Sequence, residues 1–190
     1  MKTTITFIAA LLLNFTAFSQ TWKSDKAHSH ITFTITHLTV SDVDGIFKDF
    51  DAKITASKPD FSDAKFELTV NTSSVNTDND DRDKDLKSAN FFNVDKYPTI
   101  TFVSTTIKST GKNQYKLSGN LTMLGITKPV EFDLTYRGTI TNPMTKAPDA
   151  GFVVSGTLKR SIFGLGSKYG PPMLSDEVTI KASGEFAKVN

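Results

Sequence analysis

Ile31-Thr32-Phe33-Thr34-Ile35-Thr36-His37 alternates large and hydroxylated side chains without a break. Successive side chains of a strand point to opposite faces, so Ile31, Phe33, Ile35 and His37 share one face and the three threonines the other. Reading outward, the same period of two recurs. Ile46, Phe50, Ala52 and Ile54 mark a second strand, less regular at its start. Phe66, Leu68, Val70 and Thr72 mark a third, and Ile100, Phe102 and Ser104 a fourth. Residues 115–123, 130–136, 152–158 and 178–186 continue the pattern to an eighth. Turn signals separate them: Lys58-Pro59-Asp60, Thr110 through Asn113, Gly125 through Pro129, and Asn142-Pro143. Eight strands joined by mostly short turns predict an all-β, up-and-down antiparallel sheet. Closing that sheet into a barrel removes its exposed edges.

The chain has 190 residues, enough for one domain with a real core and no staples. A formal net charge of +2 with scattered lysines argues against a nucleic-acid partner. Zero cysteines exclude disulfides, thiol catalysis and cysteine metal sites. At the start, Lys2 precedes an apolar run from Phe7 to Phe15, and Ala17-Phe18-Ser19 follows as a small-x-small cleavage pattern. Residues 1–19 are therefore expected to be a signal peptide, and 20–190 the barrel domain. The run is too short to span a bilayer well, so no transmembrane segment is expected. With no cysteine at the cleavage point, a lipoprotein is excluded. The expected location is the periplasm or outside the cell.

Residues 73–98 break the rhythm of short turns. They are polar and charge-dense, with helical character from Asp81 to Leu86 and then Asn90-Phe91-Phe92. A connection this long is usually functional or disordered. Here a short helix covering one barrel end is expected. The face carrying Phe33, Phe66, Phe102, Phe132, Phe152 and Phe186 also carries Gly119, Gly156, Ala182 and Gly184. Two readings of that lining stand side by side. Interior glycines remove volume and leave an apolar hollow. Alternatively, they relieve strain at barrel bends while the rings simply pack.

Little else points to chemistry. His28 and His30 share a face opposite His37, so a three-histidine zinc site on one strand is disfavoured, although His28, His30 and Asp25 form a conceivable set. His37 lies on the apolar face, either as a core histidine with a hydrogen-bond partner or as a polar contact for a ligand head. A calcium loop starting at Asp81 fails, because Leu86 and Phe92 stand where Gly and Glu are needed. The acidic stretch reads as a solvated loop with a local Arg82 ion pair. Arg82 and Asp83 are alternatively positioned to fix a lid over the mouth, and Arg82 could grip a phosphate bidentately. Gly164-Leu165-Gly166 is no dinucleotide fingerprint, and no nucleophile elbow is present. No metal and no cofactor are expected.

An ordered set of motifs resembles the YceI family of polyisoprenoid-binding or lipid-binding proteins. It begins at Asp25 through Phe33 and continues through Thr36 to Phe47. The most specific block holds Asn76-Thr77, Arg82-Asp83, Leu86-Lys87-Ser88, Phe91-Phe92-Asn93-Val94 and Tyr97 to Phe102. Gly119 to Thr122, Gly125 to Val130, Arg160 with Phe163-Gly164, and Asp176-Glu177-Val178 complete it. One departure is Ile162, just before the Phe-Gly pair, where the family often has an acidic residue. The resemblance implies a lipocalin-like barrel, exported to the bacterial periplasm, that holds an isoprenoid chain with a quinone-type or polar head near one mouth. On that reading the candidate lipid contacts are Phe33, Ile35, His37, Phe66, Leu68, Phe91, Phe92, Phe102, Leu121, Phe132, Phe152 and Phe163, with His37 and Arg82 as head-group partners. The expected partner is thus an isoprenoid lipid or quinone, and a homodimer is compatible with the chain. The expectation is a carrier rather than an enzyme. The alternatives are an enzyme acting on a small apolar or quinone-like substrate with His37 as acid or base, and a stress-related secreted barrel with a filled core.

Overall fold

Eleven strands and one α-helix make up the protein in a computed structural model that describes residues 19–189. The expected signal peptide lies outside the described residues apart from Ser19. The strands are β1 (Gln20–Ser24), β2 (His30–His37), β3 (Ser41–Phe47), β4 (Phe50–Ala56), β5 (Lys65–Asn71), β6 (Val75–Asn76), β7 (Thr99–Gly111), β8 (Gln114–Met123), β9 (Ile126–Thr141), β10 (Pro148–Lys159) and β11 (Leu174–Val189). The helix α1 (Asp80–Lys87) lies between β6 and β7. Among the described residues, no helix is long and apolar enough to cross a membrane.

The expected eight-stranded antiparallel barrel is present. Its ring runs β1-β4-β5-β7-β8-β9-β10-β11 and closes because β1 pairs with both β4 and β11. The long β11 serves two neighbours. Its last residues pair with β1, whereas Leu174 to Ser183 pair with β2. The β2–β3 hairpin therefore extends the wall at the opposite end from β1, and β6 adds to its far edge through Ile46 and Phe47.

Three strand expectations need correction. The segment expected as one strand from Ile46 to Ile54 is two, broken at Lys48-Asp49, where the chain changes partners from β2 and β6 to β5 and β1. The break also shifts the phase. Gly45 and Phe47 face inward before it, Phe50 and Ile54 after it, so Ile46 lies on the other face. β1, missed in the sequence, has Trp22 as its single buried side chain. Residues Ile126 to Pro129 belong to β9, and the turn shrinks to Leu124-Gly125.

The β1 end of the barrel is plugged. Phe61, from the turn after β4, inserts there despite a left-handed φ of 59° and is 2 % exposed. It packs on Trp22, Tyr136 and Phe152 at centroid distances of 5.3, 5.0 and 5.0 Å. Burying a full phenyl ring contributes about 2–3 kcal/mol, which outweighs a strained φ. The turn is held by the Tyr115 hydroxyl, which donates to the Asp60 carbonyl at 2.6 Å. The Asp63 carboxylate also accepts from the Ser57 and Lys58 amides and the Ser57 hydroxyl.

The other end is covered by the 77–98 segment. Asn79 caps α1 by accepting from the Arg82 amide at 2.9 Å, and Asp80, Asp81 and Asp83 sit in its first turn with Lys84 and Lys87 in its last. An eight-residue helix is too short to stand alone, so its anchoring matters. Asp83 supplies it: the buried carboxylate accepts from the Thr77 amide at 2.8 Å, the Thr77 hydroxyl at 2.6 Å and Asn76 Nδ2 at 3.2 Å.

Candidate functional site

Among the described residues, inward alternation from nine strands leaves two abutting chambers inside the wall. The upper, nearer α1, has a volume of about 330 Å³, and the lower about 170 Å³. Phe47, Ile100, Met123, Leu158 and Ile180 line both, so the chambers meet at a common waist. Of the sequence candidates, Phe33, Ile35, His37, Phe91, Phe92 and Phe163 line the upper chamber together with Arg82. Phe66, Leu68, Phe102, Leu121, Phe132 and Phe152 line the lower.

The hollow does not arise where the glycines suggested. A Cβ on Gly119 would come within 2.5 Å of the Phe102 ring, and one on Gly156 within 2.7 Å of Phe132. A Cβ on Gly45 would meet Phe33 at 2.2 Å. Each glycine lies beneath a ring on the neighbouring strand, which occupies the vacated volume. These three rings thus lean onto the wall rather than across the interior.

The mouth of the upper chamber is built from three chain segments. Arg160, at the end of β10, is buried without an acidic partner among the described residues. Its Nε donates to the Ser175 carbonyl at 2.8 Å, Nη1 to those of Leu165 and Gly166 at 2.8 and 2.9 Å, and Nη2 to those of Tyr169 and Leu174. All five N–H groups are thus spent on folding the 160–175 loop around one cation. Gly166 has to be glycine there: its φ is 62°, and a Cβ would approach the Phe91 ring to 2.6 Å. Asp176 caps the same loop, accepting from the Ser161 amide at 2.9 Å and hydroxyl at 2.8 Å. The Ser161 amide bond, with lesser help from its hydroxyl and the Arg160 charge, holds the Asp176 carboxyl below its ordinary range. Ile162, the departure in the sequence motif, is 41 % exposed, while Phe163, Leu165, Tyr169 and Met173 of this loop line the chamber.

Two contacts join the loop to the α1 segment across the mouth. Phe91 stacks on Tyr169 with centroids 5.2 Å apart and planes 8° from parallel, and Lys168 Nζ donates to Asn90 Oδ1 at 2.7 Å. The β2–β3 turn joins through the Leu38 amide, which donates to the Met173 carbonyl at 2.9 Å.

The polar candidates take specific positions. His37 is half-buried on the chamber wall, and neither ring nitrogen has a hydrogen-bond partner among the described residues. The core-histidine reading, which required such a partner, is therefore not what is found. Arg82 does not form the expected ion pair. Its Nε donates to the Thr77 hydroxyl and its Nη2 to the Thr77 carbonyl, both at 2.7 Å. The set of His28, His30 and Asp25 does not assemble either. His28 Nδ1 is 2.8 Å from Asp25 Oδ2 and 3.9 Å from Glu185, on the surface, while His30 lies apart. Its hydrogen bond to Asp25, then the nearby carboxylate charges, raise the His28 pKa. Sequence reasoning passed over Arg160 and Thr77 as parts of the site. Both stood in the sequence only as members of the family motifs, with no role in the site attached.

An eight-stranded antiparallel barrel, plugged at one end and hollow and apolar towards the other, belongs to the class of β-barrels that can enclose one small ligand. The chain belongs to the YceI-like domain family, whose model matches residues 22–186. A UPF0312 protein of Staphylococcus aureus is 38% identical over 167 residues, covering 86% of this chain and 95% of that one. The YceI protein of Campylobacter jejuni has a crystal structure that superposes with a TM-score of 0.75 at 30% identity, over 82% of this chain and 91% of that one. A polyisoprenoid binding domain from Saccharophagus degradans shares the fold with a TM-score of 0.65 at 14% identity, over 88% and 97% of the two chains.

Proposed function

We propose that the protein is an exported carrier or store that sequesters one long-chain isoprenoid-type lipid, a polyprenyl or quinone molecule, inside its barrel. The observation that carries this reading is the pair of abutting apolar chambers, about 330 and 170 Å³, which share Phe47, Ile100, Met123, Leu158 and Ile180 as lining. The upper chamber alone reaches the size of small-ligand pockets, and a bent or folded tail gains further burial by passing the waist. The tail sits in the chambers, with Phe66, Leu68, Phe102, Leu121, Phe132 and Phe152 around its far end. The head stays near His37 and Arg82 at the mouth. The Saccharophagus degradans domain of the same fold is a polyisoprenoid binding domain, which supports the same ligand class here. Export rests on Lys2, the apolar run from Phe7 to Phe15 and the Ala17-Phe18-Ser19 pattern, and it places the protein in the periplasm or outside the cell. A binding role is favoured over catalysis because the lining is almost wholly apolar, with few groups placed to move a proton.

The test is mass spectrometry of organic extracts from protein purified without detergent. A stoichiometric isoprenoid, retained unaltered, is the expected result. Protein that carries none, and that takes up none when offered polyprenols or quinones, refutes the reading. Conversion of an added quinone or prenyl compound would instead identify an enzyme.

A further inference from the structure

Three charged side chains line the upper chamber: Arg82, Asp85 and Arg160. Arg160 has no N–H to spare. Asp85 is tied through Oδ1 to Asn90 at 3.0 Å and to Ser88 at 3.3 Å, and it forms no ion pair with Arg82 among the described residues. Arg82 differs from both. Thr77 occupies one edge of its guanidinium, taking Nε and one N–H of Nη2. The end-on edge, one N–H of Nη1 and the second of Nη2, has no acceptor among the described residues, and neither has the remaining N–H of Nη1. Thr77 cannot turn away, because its hydroxyl and amide both donate to the buried Asp83 carboxylate. Asp83 and Thr77 thus act as positioning residues that hold an arginine fork at the chamber with its free edge preset.

We propose that this fork selects a single-tailed lipid whose head is a carboxylate or a phosphate. The inference rests on the lipid-binding reading above and sharpens its head-group class. Two parallel N–H groups match two oxygens on one head atom, and such charge-assisted bidentate bonds are about twice as strong as neutral ones. A para-quinone carries its two carbonyls on opposite sides of the ring, so it offers the fork one oxygen only. An alcohol likewise offers one. His37, uncommitted on the same wall, adds a further polar contact.

The experiment compares geranylgeraniol, geranylgeranoic acid and geranylgeranyl monophosphate, which share one tail, by titration calorimetry on delipidated full-length protein. The acid and the phosphate are expected to bind about tenfold or more tighter than the alcohol. In Arg82→Met this preference should collapse to about one. An unchanged urea midpoint shows that the variant is folded. Arg82→Lys, which keeps the charge and loses the fork, should restore only part of the preference. Equal affinities in the wild type, or a preference that survives in Arg82→Met, overturns the head-group assignment while leaving the lipid reading intact. Failure of all three probes to bind overturns both. The separate acid and phosphate arms identify which anion the fork takes.

Discussion

Leu158 lines both chambers, at the waist where they meet. If a ligand tail passes from one chamber to the other there, replacing Leu158 by Trp puts an indole in its path. The lower chamber then becomes inaccessible from the mouth, because the far end is closed by Phe61, Trp22, Tyr136 and Phe152. A buried CH₂ contributes about 0.8 kcal/mol, so an isoprene unit contributes a gross 3–4 kcal/mol, of which about 2 kcal/mol survives the ordering of its rotors. That is roughly a thirtyfold gain in affinity per unit. Geraniol, farnesol and geranylgeraniol each add one unit to the last. In the wild type the dissociation constant should fall by about that factor at each step until the lower chamber is filled. In Leu158→Trp it should level off one step earlier, with geraniol binding as before. Competition against a fluorescent fatty probe gives the three constants for each protein. If both proteins show the same chain-length dependence, the waist does not connect the chambers for a ligand. If geraniol is lost as completely as geranylgeraniol, the substitution has damaged the barrel and not the passage.

Three further outcomes follow from the geometry. Arg160→Met leaves five carbonyls of the 160–175 loop without their donor and should destabilise the fold by about 3 kcal/mol in urea titration; an unchanged midpoint would mean the loop does not depend on that cation. Gly156→Ala forces a methyl against the Phe132 ring and should cost about 1–3 kcal/mol by the same measurement, whereas a neutral result would show that the ring can lean into the hollow at no cost. Burial alone would raise the Asp63 pKa, but the Ser57 side chain and the Ser57 and Lys58 amides outweigh it and hold the carboxyl below its ordinary value. A pKa depressed on folding contributes stability above the unfolded value of about 3.9, lost as pH falls through the folded one. The stability gap between wild type and Asp63→Asn should therefore be full at neutral pH and close below about pH 4, and a gap independent of pH would sink this account.

The barrel was legible because its wall obeys one rule. Each strand has an oily inside and a wet outside, so alternation marks the face even where the ligand is unknown. The rule failed where something other than alternation decides. β1 has one buried residue, too few to set a period, and is a strand because β4 and β11 both need an edge partner. The slip between Phe47 and Phe50 is invisible in composition, since two inward phenylalanines three apart are equally consistent with a disordered pattern. Phe61 lies in a turn, where no periodicity exists to show that it plugs the barrel.

The two ends of the barrel differ in the same way that the legible and illegible parts of the site differ. The plugged end is closed by rings, and rings are conspicuous in a sequence even when their destination is not. The open end is built from cations held by groups that leave no pattern. Arg160 is held by five backbone carbonyls, which every residue supplies, so nothing in the spelling of the loop announces them. Arg82 is aimed by Thr77, and Thr77 by Asp83, a relay within seven residues that could equally have been read as solvated charge. One arginine is saturated and the other half-free, and that difference separates a structural cation from one able to meet a ligand. It follows from counting N–H groups against acceptors, and backbone acceptors leave no mark in a sequence. Arg160→Met should therefore impair all tails alike through the loop, whereas Arg82→Met should discriminate among heads.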